Sequence, residues 1–169
     1  MDGYLFDTNA VSPLWNVRHP EHDTIKTFFT SVSGSPVWFS TIVLAEIEYG
    51  LKVTPKIDVE SRNQVRREMS KCPLILDIDK HTISPYSDLR AELFKYYSPR
   101  NRRGRLTVKW PEDLVERTSA KELGIQENDI WIAAQAIQYN LILVTEDHMS
   151  RLVEVSNSLS NPLQIAKWK

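Results

Sequence analysis

The sequence predicts an α/β fold in which a central, mostly parallel sheet lies between helical layers. Short apolar runs alternate along the chain with longer stretches whose apolar residues recur at helical spacing. That alternation favours parallel strands, because a parallel neighbour is reached through a crossover rather than a tight turn. The 169 residues suffice for one well-filled core, and there is neither an internal repeat nor a linker long enough to separate two domains. A single domain over 1–169 is therefore expected.

Residues 3–7 read as the first strand. Pro13 and Asn16 indicate a short or irregular helix next. His19-Pro20 starts another, whose body runs through Ile25, Phe28, Phe29 and Val32 until Ser33-Gly34-Ser35-Pro36 breaks the chain. Val37-Trp38-Phe39 is a second strand. Ser40 or Thr41 caps the helix that follows, which carries Ile42, Ala45, Glu46 and Tyr49 and then meets Gly50. A polar helix is expected over about 56–71, ended by Pro73, and Leu74-Ile75-Leu76 is a third strand. Another helix covers about 82–97, with Pro85 in its first turn and Leu89, Leu93 and Tyr96 or Tyr97 turned inward.

The stretch 98–111 is polar, basic and turn-rich, and reads as a loop. Pro111 starts a short helix that Leu123-Gly124 ends, or else Ser119 and Glu122, at capping-box spacing, split the stretch into two short turns. Asn128-Asp129 opens the clearest helix, with Ile130, Ala133, Ala134 and Ile137 as its apolar face. Leu141-Ile142-Leu143-Val144 is the clearest strand. His148 to about Ser156 forms a further helix, and Leu163-Gln164-Ile165 a last strand before Trp168.

Composition narrows the function classes. Charged residues make up 25% of the chain and the formal net charge is -1, which neither requires nor excludes a nucleic-acid partner, since a local basic patch can bind phosphate. Cys72 is the only cysteine, so an internal disulfide and a thiolate metal site are excluded, and a reducing compartment fits. The N-terminus has no basic segment followed by a signal-like apolar run, and no stretch is long enough to span a bilayer. The expectation is a soluble cytoplasmic protein with no membrane partner.

Four acids border or interrupt apolar segments: Asp7, Glu46, Asp129 and Asp147. Glu46 shares a helix face with Ile42 and Tyr49, which reads as the core side, so its carboxylate needs a cation, a metal or a hydrogen-bond network. A half-buried ion pair is the plainer alternative. Asp129 sits in a first helical turn, where free N–H groups and the helix field favour negative charge whether or not a ligand binds. Asp147 ends a strand, or caps the helix that starts at His148. Asp7 has the same ambiguity. Together the four match the position where ligands bind at the carboxyl edge of a parallel sheet. Among the histidines only His19 and His22 have ligand-like spacing, and they lack a third partner. An all-oxygen carboxylate site favours Mg²⁺ or Mn²⁺ over Zn²⁺.

These residues carry a resemblance. Leu5-Phe6-Asp7-Thr8-Asn9, the segment Ala45-Glu46-Ile47-Glu48-Tyr49-Gly50, Asp129-Ile130-Trp131-Ile132-Ala133-Ala134 and Leu143-Val144-Thr145-Glu146-Asp147 resemble, in order, the motifs of PIN-domain ribonucleases. Within that family the chain resembles specifically the VapC toxins of type II toxin–antitoxin pairs. The resemblance implies a three-layer α/β/α sandwich and a metal-dependent endoribonuclease. It implies that Asp7, Glu46 and Asp129, with Asp147 as a more variable fourth, hold one or two Mg²⁺ or Mn²⁺ ions that support attack of water on an RNA phosphodiester. Thr8 or Thr145 would orient a carboxylate or water and Asn9 would fix the local turn, with local capping as the alternative for all three. It also implies a homodimer and a cognate antitoxin.

The segment between Tyr97 and Asp129 is longer than the compact family pattern. This possible insertion, at about 98–125, contains Arg100, Arg102, Arg103, Arg105 and Lys109, with Tyr96, Tyr97 and Trp110 nearby. Such groups can contact phosphate and stack on unpaired bases, so the segment is expected to border the cleft and bind RNA, the alternative being a solvated surface loop. Two other functions remain open: a non-catalytic PIN-like RNA-binding or scaffold protein, and a PIN nuclease acting on DNA or in RNA maturation.

Overall fold

The computed structural model describes residues 3–55 and 57–169. Five strands form one sheet: β1 (Tyr4–Phe6), β2 (Val37–Ser40), β3 (Ile75–Leu76), β4 (Ile142–Val144) and β5 (Gln164–Ala166). Their order is β3-β2-β1-β4-β5 and every pairing is parallel. Among the described residues, seven α-helices connect them: α1 (Thr8–Trp15), α2 (His22–Ser31), α3 (Thr41–Val53), α4 (Val59–Ser70), α5 (Ile83–Tyr97), α6 (Glu127–Gln138) and α7 (Ser150–Ser156). Lys56, where the sequence reading begins the polar helix, lies outside the described residues.

Strand alternation sorts the core into two layers. Phe6 and Phe39 point to one face of the sheet, where Phe6 packs on Phe28 and Phe29 of α2, and Phe39 on Trp15 of α1. Trp38 points to the other face and stacks on Tyr139, just past α6. The sheet is thus flanked by helices on both faces, a three-layer α/β/α sandwich, and Leu5 and Phe6 of the central strand are fully buried. Gly3 precedes that strand at φ +138°, and a Cβ there would overlap the Pro36 carbonyl oxygen, so only glycine lets β1 enter the sheet at this point.

Three expectations are corrected. Gly50 does not end α3, which runs on to Val53; its buried stripe is Val43, Ile47 and Leu51, at four-residue spacing, so the face with Ala45 and Tyr49 is turned to solvent and Tyr49 is 68% exposed. The stretch 111–123 forms no α-helix. After a 3₁₀ turn at Pro111–Asp113 the chain doubles back through an antiparallel bridge between Val115 and Glu122. The last helix starts at Ser150 behind Met149, so Asp147 does not cap it. At the end of α5, Leu89, Leu93 and Phe94 are buried, whereas Tyr96 is exposed and Tyr97 half-buried.

Among the described residues no helix is long and apolar enough to cross a membrane.

Candidate active site

Strand order reverses on either side of β1: β2 and β3 extend the sheet one way, β4 and β5 the other. The crevice beyond the carboxyl ends of β1 and β4 is therefore the topological switch point, where no crossover covers the sheet edge. Asp7 leaves β1 at this crevice and Thr145 leaves β4 beside it. Asp7 is only 2% exposed. Its Oδ1 accepts from the Thr8 amide at 2.7 Å, and its Oδ2 accepts from the Thr145 hydroxyl at 2.8 Å and from Asn9 Nδ2 at 3.2 Å. Asn9 Nδ2 also donates to Thr145 Oγ1 at 2.9 Å, while Asn9 Oδ1 accepts from the Glu146 amide at 3.0 Å. The Thr145 hydroxyl in turn accepts from the Asp147 amide at 3.1 Å. Thr8, Asn9 and Thr145 thus lock the two strand ends together around one buried carboxylate.

Burial pushes the Asp7 carboxyl up to about 6, against the donors Thr145 and Thr8, and the negative charges of Asp147 and Glu46 add to the rise. Asp129 is pushed up to about 7, again chiefly by burial, with Asp7, Asp147 and Glu46 contributing and the Gln126 N–H opposing. That amide, at the cap of α6, donates to Asp129 Oδ2 at 2.7 Å. Glu46, on the edge-facing side of α3, accepts from Asn128 Nδ2 at 2.7 Å through Oε1 and from the Thr8 hydroxyl through Oε2. Asp147 is exposed, and its carbonyl accepts from Lys167 Nζ at 2.9 Å.

One cleft of about 800 Å³ is lined by all four acids, together with His19, Glu21, Tyr49 and Asn128 among others. Among the described residues, no three His, Cys, Asp or Glu side chains converge as a chelating group. The reason is visible in the bonding: Asp7, Glu46 and Asp129 are each held by neutral N–H or O–H donors. The donor set still suits a hard divalent cation in chemistry and charge, since it is all oxygen and the raised acids Asp7 and Asp129 repel their neighbours.

The structure does not bring the basic segment to this wall. Arg100, Arg102, Arg103, Arg105 and Lys109 are all exposed and none lines the cleft. Arg100 donates to the Gly104 carbonyl at 2.9 Å inside a hairpin closed by its bridge to Leu106. Lys109 lies over the Trp110 ring. The segment reaches the site indirectly. Glu112 accepts from the Glu127 amide at 2.9 Å, and the Lys109 carbonyl accepts from Arg90 Nη2 at 3.0 Å. Arg90 and Tyr86 both hold the Glu127 carboxylate, and Tyr86 stacks on Trp131 at 3.6 Å between centroids. The first turn of α6 is clamped from the α5 side.

Several residues at the site escape a sequence reading. Asn128 could have been found, since it adjoins Asp129 at a helix start. Nothing local marks the tail: Glu146 accepts from the Trp168 and Lys169 amides at 2.7 and 3.0 Å, and Lys169 pairs with Glu21 at the cleft.

A family model described as PIN domain matches residues 4–155. No curated protein matches the chain. Among solved structures, a chain of VapBC2 from Rickettsia felis, bound to a DNA fragment from its promoter, is similar with a TM-score of 0.66 and 22% identity, covering 99% of each chain. FitAcB from Neisseria gonorrhoeae gives 0.63 and 18%, over 96% of this chain and 95% of that one. VapBC-1 from nontypeable Haemophilus influenzae gives 0.62 and 20%, over 98% of each.

Proposed function

We propose that this chain, which belongs to the PIN-domain family, is a metal-dependent endoribonuclease of VapC type, the toxin of a toxin–antitoxin pair. The observation that carries the reading is the meeting of Asp7, Glu46, Asp129 and Asp147 in one cleft at the switch point of a parallel sheet. Two of the four are held well above the usual carboxylate range by burial and by the negative charge of the others. Such a set resists full ionisation unless a cation is present.

Asp7, Glu46, Asp129 and Asp147 would hold Mg²⁺ or Mn²⁺. The bound ion supplies Lewis-acid polarisation of a phosphoryl oxygen and makes a water a better nucleophile at neutral pH. The chain supplies orientation. Thr145 and Asn9 fix the Asp7 carboxylate, and Thr8 and Asn128 fix that of Glu46. The likeness to VapBC and FitAcB structures supports an antitoxin partner, and the homodimer is what the family resemblance implies. The exposed basic hairpin supports an outlying RNA phosphate contact. The whole chain is read as one domain that works in the cytoplasm.

The test is cleavage of total RNA by purified protein with and without Mg²⁺ or Mn²⁺, with product ends mapped. Asp7→Asn and Asp129→Asn are expected to fold and to lose metal-dependent cleavage; parental rates in either would overturn the assignment. The second reading, a non-catalytic PIN-like RNA-binding protein, is favoured by one observation: the three inner carboxylates already have internal donors and do not form a chelating group. RNA binding without any metal-dependent cleavage would select it.

A further inference from the structure

We infer that Tyr49 is a substrate-positioning residue whose ring stacks on a nucleobase beside the scissile phosphate. The inference rests on the nuclease reading above and deepens it. Tyr49 lies on α3 three residues after Glu46, so the two share a helix face. That face is not the buried one. Tyr49 is 68% exposed and lines the same cleft as the four acids. Among the described residues, its ring packs on no other aromatic ring.

The composition of the wall gives this placement a function. Asp7, Glu21, Glu46, Asp129 and Asp147 line the cleft, and among the described residues no lysine or arginine does. The ammonium groups of Lys167 and Lys169 are at the rim and already engaged by the Asp147 carbonyl and by Glu21, so a polyanion entering the cleft meets a wall dominated by carboxylates. Beside the His19 imidazole and the amides of Asn9, Gln126 and Asn128, the wall offers a nucleotide one large flat ring face. Among the described residues, Tyr49 is the only Phe, Tyr or Trp in the lining. A base can reach that face only when it is unpaired, and stacking tolerates any base because each has a π-face. Tyr96, Tyr97 and Trp110, the aromatics beside the basic stretch, do not line this cleft.

The test is steady-state cleavage of a single-stranded oligoribonucleotide spanning a mapped cut. Wild type, Tyr49→Phe and Tyr49→Leu are each measured with Mg²⁺. A second substrate set carries an abasic nucleotide at each position flanking the cut. Tyr49→Phe is expected to keep KM and kcat. Tyr49→Leu is expected to raise KM between about fivefold and about a hundredfold, the range of one lost base stack, with kcat little changed. One abasic substrate should show the same KM rise with wild type and no further rise with Tyr49→Leu. An exposed position makes Tyr49→Leu a fold-neutral change, checked by its thermal transition. Equal KM for Tyr49→Leu and wild type, or a penalty that persists on every abasic substrate, overturns the inference and leaves the nuclease reading standing. A wild-type protein that cleaves no RNA overturns both.

Discussion

Asn128 donates to Glu46 across 2.7 Å, joining the first turn of α6 to the middle of α3. The two helices are also tied at their far side. Ser40, the cap of α3, donates to buried Gln135 Oε1 at 2.6 Å, and Gln135 Nε2 donates to the Leu76 carbonyl at 3.2 Å. Glu46 and Asp129 thus sit on elements held to each other by polar bonds at both ends of their contact. Such bonds fix orientation more sharply than apolar packing alone.

Replacing Asn128 by Ala should leave the fold intact and cost about 1 kcal/mol of stability, the usual worth of one such bond. Because Glu46 then loses one of its two orienting donors, affinity for Mn²⁺ should fall about tenfold or more. Isothermal titration with Mn²⁺ checks this; unchanged affinity would show that Thr8 alone orients Glu46.

Stability of the metal-free protein should depend on the two raised acids. Asp7 lies near 6 and Asp129 near 7, both above their ordinary 3.8. Between about pH 4 and 7 the folded chain therefore binds more protons at these sites than the unfolded chain, so their contribution to stability falls as pH rises. In EDTA, Asp7→Asn and Asp129→Asn should each gain stability over wild type at pH 7.5 and lose that advantage at pH 4. Comparing variants isolates these acids from Asp58 and Asp79, whose carboxyls are held low by backbone N–H donors and act in the opposite sense. An advantage that grew toward acid pH would reverse the sign argued here.

Arg90 and Glu127 are each about a quarter exposed, so their pair is poorly screened. Arg90→Met leaves the Glu127 carboxylate with the Tyr86 hydroxyl and should destabilise by roughly 1–3 kcal/mol. The double variant with Glu127→Gln should recover part of this. Urea unfolding of the four proteins gives the coupling directly; additive losses would mean the clamp is not a unit.

Converting Arg102, Arg103 and Arg105 to serine should leave the metal site unaltered, since none lines the cleft. RNA binding should weaken, and the slope of log affinity against log salt should shrink by about 2 if all three contact single-stranded phosphates. Filter binding from low to high salt reads both quantities. An unaltered slope would leave the hairpin as a solvated surface feature.

Local pattern determined much of this protein. Apolar runs and helical spacing marked all five strands and the placement of most helices, because periodicity reports which residues must leave water wherever the element ends up. Asp7 was legible for the same reason: it directly follows an apolar strand, and a parallel strand buried on both faces delivers its next residue to the sheet edge, whereas Asp147 lies three residues past the end of β4. Tyr49 shows the limit. Its spacing from Ile42 and Glu46 placed the three on one face, but which face meets the core depended on how the stripe Val43, Ile47 and Leu51 docks. The stretch 111–123 shows another: its capping signals were real options for an isolated chain, and the bridge from Val115 to Glu122 displaced them.

What only the tertiary structure decided are the relations between distant residues. Sheet order put β4 beside β1 and so Thr145 against Asp7, and the packing of α6 on α3 put Asn128 against Glu46. It also set the basic hairpin away from the acidic cleft and brought Lys167 and Lys169 to its rim. Charge and hydropathy are properties of single residues and short windows, so they name the groups a site can use. Their distances follow from how helices and strands pack, and no local pattern encodes that.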